Sequence, residues 1–153
     1  MTPAIRELRT AGVDFDPYLY DYERYPGALG AAEFVGVEPH LAVKTIVMAT
    51  NDGRGVIVLM HGDLEVSTKE LARLLGVKAT APATSRQARR WTGYEFGGTS
   101  PLGLRAPMPV LAESSIAGMD RVYVNAGKRG FVIGIAVTDL LAVVEPTLVA
   151  VSA

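Results

Sequence analysis

The chain has 153 residues, a formal net charge of −1 and no cysteine. That length suits one domain with a sizeable core, and the near balance of charge excludes a disordered polyelectrolyte or a protein basic all over. Without cysteine there is no disulfide, thiolate nucleophile or zinc–cysteine site. The start Met1-Thr2-Pro3-Ala4-Ile5-Arg6 lacks the basic-then-apolar layout of a signal peptide, and no apolar run approaches membrane length. We therefore expect a cytoplasmic protein with no membrane partner.

In chain order the signals alternate between short helices and strands. Thr2 followed by Pro3 opens a helix with Ile5 and Leu8 inward, ending at Gly12. Phe15 to Tyr22 alternates as a strand, with Tyr18, Tyr20 and Tyr22 on one face. Leu29 to Val35 reads as a second helix, stopped by Gly36. Val43 to Thr50 and Val56 to His61 are β-rich runs joined by Asn51-Asp52-Gly53-Arg54, whose Asp-Gly pair signals a hairpin. Ser67-Thr68-Lys69-Glu70 has the spacing of a capping box, opening a helix with Leu71, Leu74 and Leu75 inward and Gly76 at its end. Thr84-Ser85-Arg86-Gln87 repeats the device, and Gly93 closes that helix. Strands follow near Val110, Val122 and Phe131, then a helix from Asp139 and a strand near Val149. Hairpins mixed with crossover helices imply an α/β (α+β) fold around a curved mixed β-sheet, in one domain over residues 1–153.

The densest punctuation is Gly97-Gly98-Thr99-Ser100-Pro101-Leu102-Gly103. Glycine lets a ligand approach the backbone and proline stiffens the turn, so the loop can aim N–H groups and two hydroxyls at a small anionic or carbonyl-bearing group. Residue types alone favour a well-made hairpin loop. Lys44 shares a strand face with Ile46 and Met48. It is either a lysine snorkelling at a sheet edge or an ammonium at the rim of a pocket. Gly127-Lys128-Arg129-Gly130 is a tight basic turn between strands. Lys78, Arg86, Arg89 and Arg90 add positive charge, a local surface able to guide a nucleic-acid end.

Other chemistries lack their signatures. A nucleophile elbow around Ser100 would need glycine at position 102, which is Leu102. Gly93 and Gly98 have phosphate-loop spacing, but Thr99 stands where the lysine belongs. His40 and His61 have neither metal-ligand spacing nor company, and are expected at the surface or at strand ends. No metal or other cofactor is expected.

In order and spacing these motifs resemble the aminoacyl-tRNA deacylase family related to the editing insertion domain of bacterial prolyl-tRNA synthetase, most of all its YbaK/EbsC branch, the cysteinyl-tRNA(Pro) deacylases. The resemblance runs through Thr2-Pro3-Ala4, the Phe15–Tyr22 strand, Lys44-Thr45, the Lys69–Gly76 helix, Thr92-Gly93-Tyr94, Gly97 to Gly103 and Gly127 to Gly130. It implies a freestanding editing enzyme, without cofactor, that removes cysteine from the 3′ aminoacyl end of mischarged tRNA, with prolyl-tRNA synthetase as a partner and no DNA. It places Lys44 at the family's key lysine and Tyr20 at a pocket tyrosine. Gly97, Gly98, Ser100, Pro101 and Gly103 match the loop around the ester and terminal ribose, with Thr99 replacing a more common isoleucine. Lys128 and Arg129 are expected to contact the tRNA.

Two departures bear on mechanism. The family often continues Lys-Arg-Gly with leucine and aspartate, where this chain has Phe131 and Val132, so a pocket carboxylate is missing. The Tyr22–Gly30 segment is also unlike the family's usual acidic stretch. A cysteinyl ester brings its own thiol as nucleophile. A thiol-free cargo, as on alanyl-tRNA(Pro), would need positioned water. A non-catalytic relative that binds an RNA end or a nucleotide is the third alternative.

Overall fold

The computed structural model describes residues 1–153. Helix α1, Pro3–Ala11, starts where Thr2 caps it: Thr2 Oγ1 accepts from Ile5 N at 3.2 Å and donates to Ala126 O at 2.6 Å. Ala4, Ile5 and Leu8 are buried; fully burying a side chain the size of Leu8 contributes about 1.5–3 kcal/mol. Strand β1, Asp16–Leu19, is shorter than the expected Phe15–Tyr22 run. Tyr20 N still donates to Gly130 O at 2.9 Å, but Asp21 then accepts Tyr25 N and turns the chain. Tyr20 and Tyr22 therefore sit on a loop, not in a strand.

Helix α2, Gly27–Val35, begins two residues earlier than expected. Strands β2, Val43–Thr50, and β3, Gly55–His61, form the expected hairpin, pairing Lys44 with Met60 and Thr45 with Leu59. Helix α3 covers Thr68–Leu75, strand β4 Thr80–Pro82 and helix α4 Ser85–Thr92. Then come β5, Val110–Glu113; β6, Arg121–Lys128; β7, Phe131–Ala136; helix α5, Val137–Val144; and β8, Thr147–Val149. β4 carries no periodicity in sequence because it is three residues long and ends in proline.

The two capping signals fare differently. At α4 the box is reciprocal: Gln87 N donates to Thr84 Oγ1 at 3.1 Å and Thr84 N to Gln87 Oε1 at 2.9 Å. At α3 only Ser67 caps, accepting from Glu70 N at 3.2 Å. Ser67 N is spent on Val151 O at 2.7 Å, and the Glu70 carboxylate turns to Arg73 at 2.5 Å. Leu71 is buried, but Leu74 is 52% exposed rather than inward.

The strands make two sheets. One is antiparallel in the order β1-β7-β6; the other is mixed, in the order β4-β2-β3-β5-β8, with β5 parallel to both neighbours. A single parallel bridge between Ala42 and Tyr123 joins them, so the expected curved sheet is two sheets meeting at a seam. The main core lies between α1, α5 and both sheets, with Leu8, Ile57, Leu59, Ile133, Ile135 and Leu140 fully buried. Met48, Val58, Met60, Leu71 and Val151 form a second cluster on the other face of β2 and β3.

His61 ends β3 as expected, yet it is fully buried. Its Nδ1 lies 2.8 Å from the His40 carbonyl and its Nε2 2.7 Å from Ser115 Oγ. The carbonyl can only accept, so Nδ1 donates to it, and Ser115 Oγ pairs with Nε2. His40 stacks flat on His61 with ring centroids 3.6 Å apart, and its Nδ1 meets Asp63 at 2.8 Å. These contacts pin the short 3-10 turn Pro39–Leu41 to β3 and hold the entry into β2. No helix is long and apolar enough to cross a membrane.

Candidate functional site

Strand β2 positions the site. Its outer edge is paired at both ends: Ala42 bridges Tyr123 of β6, while β4 covers Met48 to Thr50 and Ala83 N donates to Val47 O at 2.9 Å. The edge is open between these points. Main-chain groups alternate sides along a strand; because Val47 O points away from β3, the N–H and C=O of Thr45 do too. The gap holds a cavity of about 270 Å³, walled by β2, by Ala28 and Ala31 of α2, by Ala83 and Ala88, by Tyr123, Asn125 and Val132, and by Tyr20, Tyr22, Phe96, Gly97 and Thr99.

Most of that wall is apolar. Lys44 is its one charged residue; no aspartate, glutamate or histidine lines it. Lys44 is one-fifth exposed, with Nζ 3.3 Å from Glu65 Oε1. Glu65 is 82% exposed, so the pair is a solvated one worth at most about 1 kcal/mol, and a stronger anion can displace it. Tyr20 is half-buried, stacked on Phe34 at 5.0 Å and edge-on to Tyr25 at 6.3 Å. Burial first, and the neighbouring Tyr22 second, push its phenol above the ordinary tyrosine range. It is a proton donor at neutral pH, not a base. Thr45 Oγ1 is buried and has no hydrogen-bond partner.

The glycine loop divides in two. Gly97 and Thr99 line the cavity. Gly97 has φ +85°, and a Cβ there would meet the Tyr22 hydroxyl at 2.5 Å; its carbonyl accepts from Asn125 Nδ2 at 3.3 Å. Gly98 is buried against the β6–β7 hairpin, where a Cβ would meet Arg129 N at 2.8 Å. The space beside Gly98 therefore belongs to the protein's own backbone rather than to a ligand. Ser100 is fully buried, accepting from Leu102 N at 3.3 Å, and Pro101 is buried beside it. Gly103 has φ +64°, its N–H donates to Glu7 Oε2 at 3.1 Å, and a Cβ would overlap the Pro3 backbone. Gly103 seats the loop on α1, and neither it nor Ser100 nor Pro101 lines the cavity.

Lys128 and Arg129 are exposed at the hairpin tip. Arg129 Nε donates to Phe96 O at 2.7 Å and the guanidinium lies 5.5 Å from the Tyr22 ring centroid, at the rim rather than inside. The hairpin is held by Asn125, whose Oδ1 accepts from Gly127 N at 2.6 Å and Lys128 N at 3.1 Å. Sequence reasoning missed Asn125, Phe34 and Glu65, and named Thr45 only as part of the Lys44-Thr45 motif. Asn125 two residues before a Gly-Lys-Arg-Gly turn is the one local signal that points to a side-chain-locked bulge. Val132 sits in the cavity wall, where the resemblance expected a carboxylate.

Comparison with known proteins agrees on the family. The family model described as an aminoacyl-tRNA editing domain matches residues 27–143. Over 141 residues, spanning 92% of this chain and 86% of the relative, the sequence is 29% identical to an Enterococcus faecalis protein provisionally named Cys-tRNA(Pro)/Cys-tRNA(Cys) deacylase EbsC. It is 33% identical over 100 residues to a proline–tRNA ligase of Ligilactobacillus salivarius, covering 65% of this chain but only 17% of that enzyme. Among solved structures, a proposed trans-editing enzyme for prolyl-tRNA synthetase superposes with a TM-score of 0.85 at 24% identity, covering 100% of this chain and 99% of the other. A hypothetical protein reaches 0.88 at 20% identity, covering 99% of each. The two structures share the fold.

Proposed function

Because this chain belongs to the aminoacyl-tRNA editing domain family, we propose that it deacylates mischarged tRNA in trans, with cysteinyl-tRNA(Pro) as its substrate and prolyl-tRNA synthetase as the source of that substrate. The observation that carries the reading is the cavity: small, mostly apolar, with Lys44 as its one charged wall residue. A small amino-acid side chain fits against Ala28, Ala31, Val47 and Ala88, and the ester and ribose lie toward Lys44, Tyr20 and the Gly97–Thr99 turn.

The chemistry follows from what the wall lacks. A positioned water needs a base, and no carboxylate or imidazole faces the cavity. The cysteinyl ester carries its own nucleophile. Its sulfur attacks its own carbonyl carbon, a carbon–sulfur bond forms, the carbon–oxygen bond to the terminal ribose breaks, and the thiol proton ends on the ribose oxygen. Water later opens the thiolactone to free cysteine. The protein holds the reacting groups together. The Thr45 main-chain N–H, facing the open edge of β2, and the Lys44 ammonium stabilise charge developing on the carbonyl oxygen. The protonated Tyr20 hydroxyl donates to the ribose or the ester.

Incubation with cysteinyl-, alanyl- and prolyl-tRNA(Pro), with products read by mass spectrometry in the presence of a thiol trap, tests this directly. Cysteinyl-tRNA should be cleared at least about tenfold faster than alanyl-tRNA, a difference of about 1.4 kcal/mol. Equal rates would remove the substrate-thiol step and favour a water-using deacylase. No turnover of any ester, with retained binding, would make the chain a non-catalytic RNA-end binder.

A further inference from the structure

Beyond the cavity mouth the surface changes character. Phe96 lines the mouth and is 71% exposed, an aromatic face on the surface that nothing in the fold covers. Its neighbours are cationic on both sides. Arg129 donates to the Phe96 carbonyl, and Arg89 meets Glu95, the preceding residue, at 3.2 Å. From Arg89 the charge continues along α4 into a cleft of about 510 Å³ lined by Ser85, Arg86, Arg89, Arg90 and Arg105. Arg86 and Arg90 are one turn apart and point away from Ala88, which faces the cavity on the other side of the helix. The cavity and the arginine cleft are thus separated by the thickness of one helix, roughly 10 Å. Arg86, Arg90 and Arg105 have no acidic partner, and Glu95 is the one carboxylate paired with the cluster. On a chain of net charge −1 this is a concentrated, one-sided cationic track that starts at the mouth.

An exposed aromatic followed by a row of guanidinium groups matches single-stranded nucleic acid, in which bases stack and phosphates follow at intervals. We propose that Phe96 and the arginines of α4, with Arg105, form a path for the single-stranded 3′ end of the RNA: Phe96 stacks a base next to the terminal nucleotide, and Arg86, Arg89, Arg90 and Arg105 hold the phosphates that precede it. This rests on the deacylase reading for the orientation of the strand, with its acylated end in the cavity. It adds a second binding region that Lys128 and Arg129 do not supply.

The test separates the two readings. The double variant Arg86→Gln/Arg90→Gln touches neither the cavity nor an ion pair. Its affinity for uncharged tRNA should fall about tenfold near 0.1 M salt, and the slope of log affinity against log salt should become shallower by about 1.4, two phosphates at roughly 0.7 each. Cleavage of a cysteinyl-adenosine ester, which has no phosphate to reach α4, should stay within about twofold of wild type. Arg86→Lys/Arg90→Lys should restore most of the slope. Phe96→Leu should weaken a short single-stranded RNA about tenfold with the slope unchanged, because stacking carries no counterion release. Wild-type tRNA affinity and slope in the folded Gln variant would overturn the proposal, and loss of synthetase capture alongside them would make the cleft a protein contact. Were cysteinyl-tRNA not cleaved even by wild-type protein while the slope still changed, the deacylase reading would fall and the RNA path would stand.

Discussion

Gly97 to Thr99 and Ser100 to Gly103 are adjacent halves of one glycine-rich loop, each with a glycine at positive φ, yet they do different work. The first half lines the cavity through Gly97 and Thr99. The second turns inward, with Ser100 buried and accepting from Leu102 N, and is seated on α1 by Gly103, whose N–H reaches Glu7. Gly98 is the divider, close-packed on the β6–β7 hairpin. A glycine-rich loop is thus not uniformly a ligand cradle. Glycine also appears where backbones must touch, and only the neighbours tell the two uses apart.

If that division is right, substitutions on the two sides should separate activity from stability. The largest effect belongs to Lys44→Ala. We expect kcat/KM on cysteinyl-tRNA to fall on the order of 10²–10³-fold, as when a preorganised donor is removed, with an unchanged melting curve because the Glu65 pair is solvated. Turnover near wild type would remove Lys44 from the site. Gly103→Val should do the reverse. Its positive φ and the backbone of Pro3 leave no room for a side chain, and the cost is about 3 kcal/mol, read by urea denaturation. Folded Gly103→Val protein should retain normal turnover per folded molecule.

Tyr94 tests how the second half is held. Its hydroxyl donates to Leu102 O at 2.6 Å, and burial above all pushes its phenol up to about 12. The folded state therefore favours the neutral phenol. Its contribution is complete below the unfolded value near 10 and is lost as pH rises from about 10 towards about 12. Tyr94→Phe should cost about 1–2 kcal/mol at neutral pH by leaving a buried carbonyl unpaired, and should flatten the alkaline loss of stability. An unchanged alkaline slope would mean another group titrates. The smallest effect is expected for Thr99→Ile. The Thr99 hydroxyl makes only a 3.4 Å contact to Glu95 O, so stability should change by less than about 0.5 kcal/mol. Its turnover should stay within about threefold, about 0.7 kcal/mol of barrier. A large loss would make the Thr99 hydroxyl a substrate contact.

Local signals were most legible where a few consecutive residues decide the outcome. Thr2 and Gly12 bound α1, Asp52-Gly53 joins β2 to β3, and Thr84 with Gln87 closes a reciprocal box. The same logic overreached at Ser67, whose N–H was claimed by Val151, far away in sequence. It overreached at Tyr20 too, because Asp21 turns the chain before the alternation is complete. For the site, Lys44 and Tyr20 were legible as residues but their partners were not: Glu65 and Phe34 carry no motif.

The sequence by itself determined most of the elements and their ends, the absence of any thiol on the protein and, through the order of its motifs, the family. Those follow from short-range hydrogen bonding, backbone sterics and side-chain period, which act within a few residues. Only the tertiary structure decided which glycines line the cavity, that His61 is buried, that two sheets part along β2 to open that cavity, and that Ser100 is buried away from it. Each of those depends on which backbone or side chain from a distant segment fills the adjacent space, and close packing of that kind has no local signature.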